Sequence, residues 1–163
     1  MAYGDGDRGV GGWLAFFLVT LGIFGPLALA VSGYLTLSDP TLPLAYGDAW
    51  PTLLSAEIGL ILTLLAISWF AVWRFLKKFN WTTVRIGIAS LWTLSILSVF
   101  GEAALVSVIA GLDLGTLMPA SAIPEMVRPF GYSTIWTLYL LLSKRVRATY
   151  GDVPVGEVEE VFQ

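Results

Sequence analysis

The sequence contains no histidine and no cysteine. Without them the chain cannot assemble a His or Cys zinc site, a His-ligated haem, an iron–sulfur cluster or a disulfide. Cysteine nucleophiles and Ser-His-Asp chemistry are excluded for the same reason. Charge is scarce too: Asp, Glu, Lys and Arg make up 13% of the 163 residues, against about 25% in a soluble domain. The net charge of −3 argues against a nucleic-acid partner. Phosphate loops and dinucleotide fingerprints are missing, because Gly4, Gly6 and Gly9 follow no strand. The expectation is no metal site, no cofactor ligated by the protein and no enzymatic activity.

What fills the sequence instead is apolar. Hydrophobic residues make up 56% and the mean hydropathy is +0.78. Between Arg8 and Asp39 runs an uncharged stretch that as a helix reaches about 45 Å, against a hydrocarbon core of about 30 Å. The excess requires tilt, a kink at Gly25-Pro26, or ends emerging among the headgroups. A second run, Leu53 to Trp73, carries Glu57; a third, Ile86 to Leu112, carries Glu102; a fourth extends from Arg128-Pro129 to Ser143. The first run also mimics a signal peptide ending at Ala28-Leu29-Ala30. Asp5 and Asp7 offset Arg8, however, and the run continues through Val31, Tyr34 and Leu37, so it reads as a span. The fold expected is all-α: a four-transmembrane-helix bundle with helices near 10–37, 52–76, 84–112 and 127–147. These form one domain over 1–150, followed by an acidic tail over 151–163.

Lys and Arg set the orientation. Arg8 precedes the first span; Arg74, Lys77, Lys78 and Arg85 lie between the second and third; Lys144, Arg145 and Arg147 follow the fourth. Eight of the nine basic residues therefore fall on one side, and Arg128 alone on the other. Both termini are expected in the cytoplasm, with these residues as membrane anchors. Trp13, Trp50, Trp73 and Trp81 fall at span ends, where indole rings favour the interface. Trp69, Trp92 and Trp136 fall deeper, where packing between helices or against lipid is the simplest role.

Two short motifs stand at the ends of this pattern: GVGGWLAFF, Gly9 to Phe17, and SKRVRATY, Ser143 to Tyr150. With four hydrophobic runs they resemble the bacterial family called domain of unknown function 2569, over roughly Gly9 to Tyr150. The resemblance implies a small integral protein of the bacterial inner membrane with four helices. It brings no catalytic residues. On physical grounds the closing motif sets Lys144, Arg145 and Arg147 against anionic headgroups and a helix C-terminus. The alternative is a docking surface for a cytoplasmic partner. Gly11, Gly12 and Gly22, and the four-spaced Ala103, Ser107 and Gly111, suit close helix approach.

Glu57, Glu102 and Arg128 are the residues that suggest chemistry. Each lies 16 or 17 positions from a basic boundary residue: Arg74, Arg85 and Lys144. All three are thereby placed about 25 Å above that boundary, at one level. One charged residue costs about 2.5–3.5 kcal/mol at a helix centre, and thirteen Leu, Ile, Val and Phe residues at about 0.5 each outweigh Glu102. Three readings follow: Arg128 neutralises one or both carboxylates, the carboxylate pair binds a proton or cation, or one Glu faces lipid headgroups and has no role.

The connector Ser38–Thr52 is Pro-rich, and the one from Asp113 to Val127 is apolar enough to lie along headgroups or cover another protein. The tail carries Asp152, Glu157, Glu159 and Glu160 and is repelled by an anionic leaflet, leaving disorder or a protein partner. The function expected is an accessory or structural subunit of a larger membrane complex, in contact with lipids and other membrane subunits. The alternative is a small oligomeric transporter, ion- or proton-coupled, using Glu57 and Glu102.

Overall fold

The computed structural model of the chain describes residues 10–119, 121 and 123–151. Arg8 and the tail from Asp152 onward lie outside the described residues. Among the described residues every regular element is helical: α1 (Trp13–Val19), a π-helical segment (Thr20–Phe24), α2 (Gly25–Ser38), α3 (Thr41–Tyr46), a 3₁₀ turn (Gly47–Ala49), α4 (Trp50–Lys77), α5 (Trp81–Ala110), α6 (Leu114–Leu117), α7 (Ile123–Leu142) and α8 (Lys144–Tyr150). Three continuous stretches are long and apolar enough to cross a membrane: Trp13–Ser38, Thr41–Lys77 and Trp81–Ala110. The fourth expected span, α7, has 20 residues, with Arg128 and Pro129 in its first half, and is not among those three.

The irregularity in the first stretch has a local cause. Pro26 has no N–H to donate, and its ring crowds the carbonyl four residues back. The helix widens before it, so that the Gly25 N–H reaches the Thr20 carbonyl, five residues away. The expected kink at Gly25-Pro26 is therefore absorbed as one π turn. The connector over Ser38–Thr52 is more regular than its prolines suggest. Asp39 Oδ1 accepts from the Thr41 N–H at 2.8 Å and the Thr41 hydroxyl at 2.7 Å, which starts α3. Those same donors, the hydroxyl first, hold the Asp39 carboxyl below its usual range.

Helix α5 starts at Asn80, whose side chain accepts from Thr83, and stops at Gly111, whose φ of 69° is the left-handed terminator. The Lys78–Asn80 turn makes α4 and α5 an antiparallel pair. They approach closely at Gly87, where an added Cβ would run into the Phe75 ring. The first span packs on α4, with Gly22 against Val72, and α7 packs on α5. At the end holding the α4–α5 turn, the first span and α7 also meet. Phe17 and Trp136 lie 4.8 Å apart, in one cluster with Leu14, Phe75, Leu140 and Tyr150. We call this the basic end.

Candidate functional site within the bundle

At the basic end the two terminal motifs meet. Helix α7 stops at Leu142, and Ser143 caps a new short helix, α8, by accepting from the Val146 N–H. The single expected helix 127–147 is thus two pieces. Arg147 donates through Nε and Nη2 to the Leu141 carbonyl, at 3.3 and 3.0 Å, occupying an acceptor that α7 leaves open. The Arg145 guanidinium lies over Gly11 and Gly12; a Cβ added at Gly12 falls 2.9 Å from its Nη1. Val146 and Tyr150 are fully buried. The Tyr150 hydroxyl donates to the Phe75 carbonyl at 2.6 Å, and burial pushes its pKa up to about 12. The closing motif is a clasp on the first span and on α4.

Its geometry puts the basic residues together. Arg74, Lys77, Lys78 and Arg85 border the α4–α5 turn, and the α8 ring of Tyr150 stacks on Phe79 in that turn at 5.7 Å. Lys144, Arg145 and Arg147 therefore share one end of the bundle with them. Arg74 is half-buried there, and its Nε has no hydrogen-bond partner among the described residues.

Further along, the π turn exposes carbonyls that α4 satisfies. The Leu21 carbonyl has lost its helical donor to the widened register, and Ser68 Oγ donates to it instead. Trp69 Nε1 donates to the neighbouring Gly22 carbonyl at 3.2 Å. Across the bundle, Thr20 Oγ1 donates to the Phe17 carbonyl at 2.8 Å, which leaves the Tyr132 hydroxyl as donor in its 2.9 Å contact with Thr20. On α7, Ser133 donates to the Leu91 carbonyl at 3.1 Å and touches Ser95 at 2.6 Å; Ser95 reaches the Pro129 carbonyl at 3.0 Å. Trp92 Nε1 donates to Thr137. Trp69 and Trp92 face outward with their N–H groups satisfied, while Trp136 is in the core.

Thr20, Ser68, Ser95, Tyr132 and Ser133 border a cavity of about 380 Å³ between the first span and α7, backed by α4 and α5. Sequence reasoning missed it. The available signals were the prolines at 26 and 129, and the serines at 95, 98 and 133 within apolar runs. Neither is distinctive without knowing which faces meet.

The charged residues divide. Glu57 and Glu102 line one small cavity of about 50 Å³ with Thr36, Tyr46 and Trp50, room for one or two waters at roughly 30 Å³ each. Glu102 also borders a larger cavity of about 420 Å³ with Met118 and Met126. Arg128 is exposed and lies outside both cavities. The structure brings the two carboxylates together and leaves the guanidinium apart.

A family model described as "Protein of unknown function (DUF2569)" matches residues 7–151. No curated protein and no solved structure matches the chain.

Proposed function

The chain belongs to this family of unknown function, and from that premise we propose a non-catalytic accessory subunit of a larger complex in a bacterial inner membrane. It crosses four times, with both termini cytoplasmic. The 20 residues of α7 extend about 30 Å, enough for the hydrocarbon core. An even number of crossings is supported by the meeting of Arg145 with Gly11-Gly12 and of Tyr150 with Phe75, which sets α8 beside the start of the first span. Seven basic residues at that end support a cytoplasmic assignment.

The subunit role rests on the opposite end. Leu44 of α3 and Val108 near the close of α5 are 86% and 83% exposed, more than any other large apolar residue among those described. At the ends of spanning segments such side chains meet headgroups and water, a poor cover for them. A partner subunit buries them. The test is extraction of a tagged copy in mild detergent, with identification of co-migrating chains. Leu44→Glu and Val108→Glu should release the protein from the larger species while leaving it folded. Migration of the unaltered protein as a free monomer or homo-oligomer in native membrane extracts refutes the role.

One observation favours a second reading, a small oligomeric transporter or ion- or proton-coupled protein: Glu57 and Glu102 share a cavity. Four helices leave little room for alternating access in a monomer. In that case Glu102→Gln abolishes flux in vesicles and leaves the fold intact; for an accessory subunit the same change leaves assembly unaltered.

A further inference from the structure

The cavity of about 380 Å³ has a buried back and an exposed rim. Leu64 and Ser68 of α4, Leu91 and Ser95 of α5 and Ser133 of α7 are buried, whereas Phe24, Gly25 and Tyr132 at the mouth are exposed. The opening therefore faces sideways, between the π turn of the first span and α7. Its walls on the first span, α4 and α5 belong to stretches apolar enough to cross a membrane.

Its chemistry narrows the occupant. Six hydroxyls border the space, yet their protons are committed to the protein. Thr20 donates to the Phe17 carbonyl, Ser68 to Leu21, Ser98 to Ser95 and Ser133 to Leu91. Tyr132 donates to Thr20, and Ser95 has the Pro129 carbonyl and Ser133 as acceptors. With those donors spent the wall is apolar in effect, and cavities of that kind favour hydrocarbon over water.

At ~30 Å³ per non-hydrogen atom the cavity has room for about a dozen atoms, the scale of part of an acyl chain. The second cavity, of about 420 Å³, shares Ser98 and Pro129 with it and is also lined by Leu117 of α6, Met118 and Met126.

We infer that this cavity is a lipid site that takes the acyl chain of a membrane phospholipid through the opening between the first span and α7. The site does not depend on the subunit role, because it is formed by one copy of the chain.

The experiment uses the full chain in phosphatidylcholine vesicles doped with a phosphatidylcholine carrying a diazirine on its acyl chain. After irradiation, the labelled residues are located by mass spectrometry. The expected pattern includes the buried back wall, Leu64, Leu91 and Ser95, alongside lipid-facing Ile96 and Ile135. Ser98→Phe, which fills the junction of the two cavities, should lower back-wall labelling severalfold and spare Ile135. Ile96→Phe, on the outward face of α5, should change neither. Labelling of Ile96 and Ile135 with an unlabelled back wall in the unaltered protein overturns the site, and this result needs no variant to fold. Undiminished back-wall labelling in a folded Ser98→Phe protein, judged by circular dichroism, overturns it as well. So does a crosslink that places a second copy or another protein in the cavity.

Discussion

Tyr150→Phe removes one oxygen from the clasp and isolates a single interaction. The last carbonyls of a helix lack intrahelical donors, and Phe75 lies in the final turn of α4. Its carbonyl is served by the Tyr150 hydroxyl at 2.6 Å, and Tyr150 is fully buried. Phenylalanine keeps the edge contact with Phe75 at 5.4 Å and the stack on Phe79, so the ring packing stays. What is lost is a hydrogen bond, with a buried acceptor left unpaired, about 1–3 kcal/mol. Tyr150→Ala also opens a void where the ring stood and should cost about 3–5 kcal/mol. Unfolding in mild detergent, followed by near-ultraviolet circular dichroism, separates these values. The pH dependence is a second readout. The folded pKa lies near 12, above the ordinary 10.0, because burial disfavours the phenolate. The hydroxyl's contribution is therefore complete below pH 10 and is lost as the pH rises through about 12. The alkaline loss should be smaller in Tyr150→Phe. If Tyr150→Phe and Tyr150→Ala both unfold within about 0.5 kcal/mol of the parent, the clasp does not hold the bundle.

Ser68→Ala should cost about 1–3 kcal/mol by stranding the Leu21 carbonyl. In a Pro26→Ala background, where a backbone N–H is restored, the cost should shrink, and equal costs in the two backgrounds refute the account of the π turn. Gly87→Ala drives a Cβ into the Phe75 ring and should cost about 1–3 kcal/mol, while Gly101→Ala meets only the flexible end of Leu60 at 3.0 Å and should cost less. Arg128→Leu removes an exposed charge and should change stability by less than about 1 kcal/mol in the same unfolding assay. A loss several times larger would restore the neutralising pair with a glutamate. A reporter fused after Tyr150 should be active in the cytoplasm and one inserted near Tyr46 outside it; the opposite result defeats the topology.

The local features were the legible ones. The helix ends follow from residues that act within a few positions: Asn80 and Ser143 as caps, Gly111 as a terminator and Pro26 as a disruptor. The expected helices 52–76 and 84–112 differ from Trp50–Lys77 and Trp81–Ala110 by no more than three residues. The spacing argument that set Glu57 and Glu102 at one level counted along single helices, and the two carboxylates do share a cavity. The same count included Arg128 but carried no information about which way its helix faces. Level is a distance along an axis, and pairing requires rotation about it.

The sequence by itself determined that this chain is helical and apolar, without histidine or cysteine chemistry, and belongs among the proteins its terminal motifs resemble. Composition and short-range propensity are sums over neighbours and need no partner to be read. Tertiary structure alone decided what those motifs do. Gly12 and Arg145 are 133 positions apart, and their contact depends on how the first span and α8 dock. It also decided that Gly25, next to the proline of the first span, and Pro129 border one cavity, because a broken helix becomes a site only when another helix faces the break. Which side chains meet across a bundle depends on the rotation of each helix, set by the packing of large and small residues such as Phe75 on Gly87. In a chain apolar on nearly every face, periodicity cannot reveal that rotation, since lipid and core draw on the same residues.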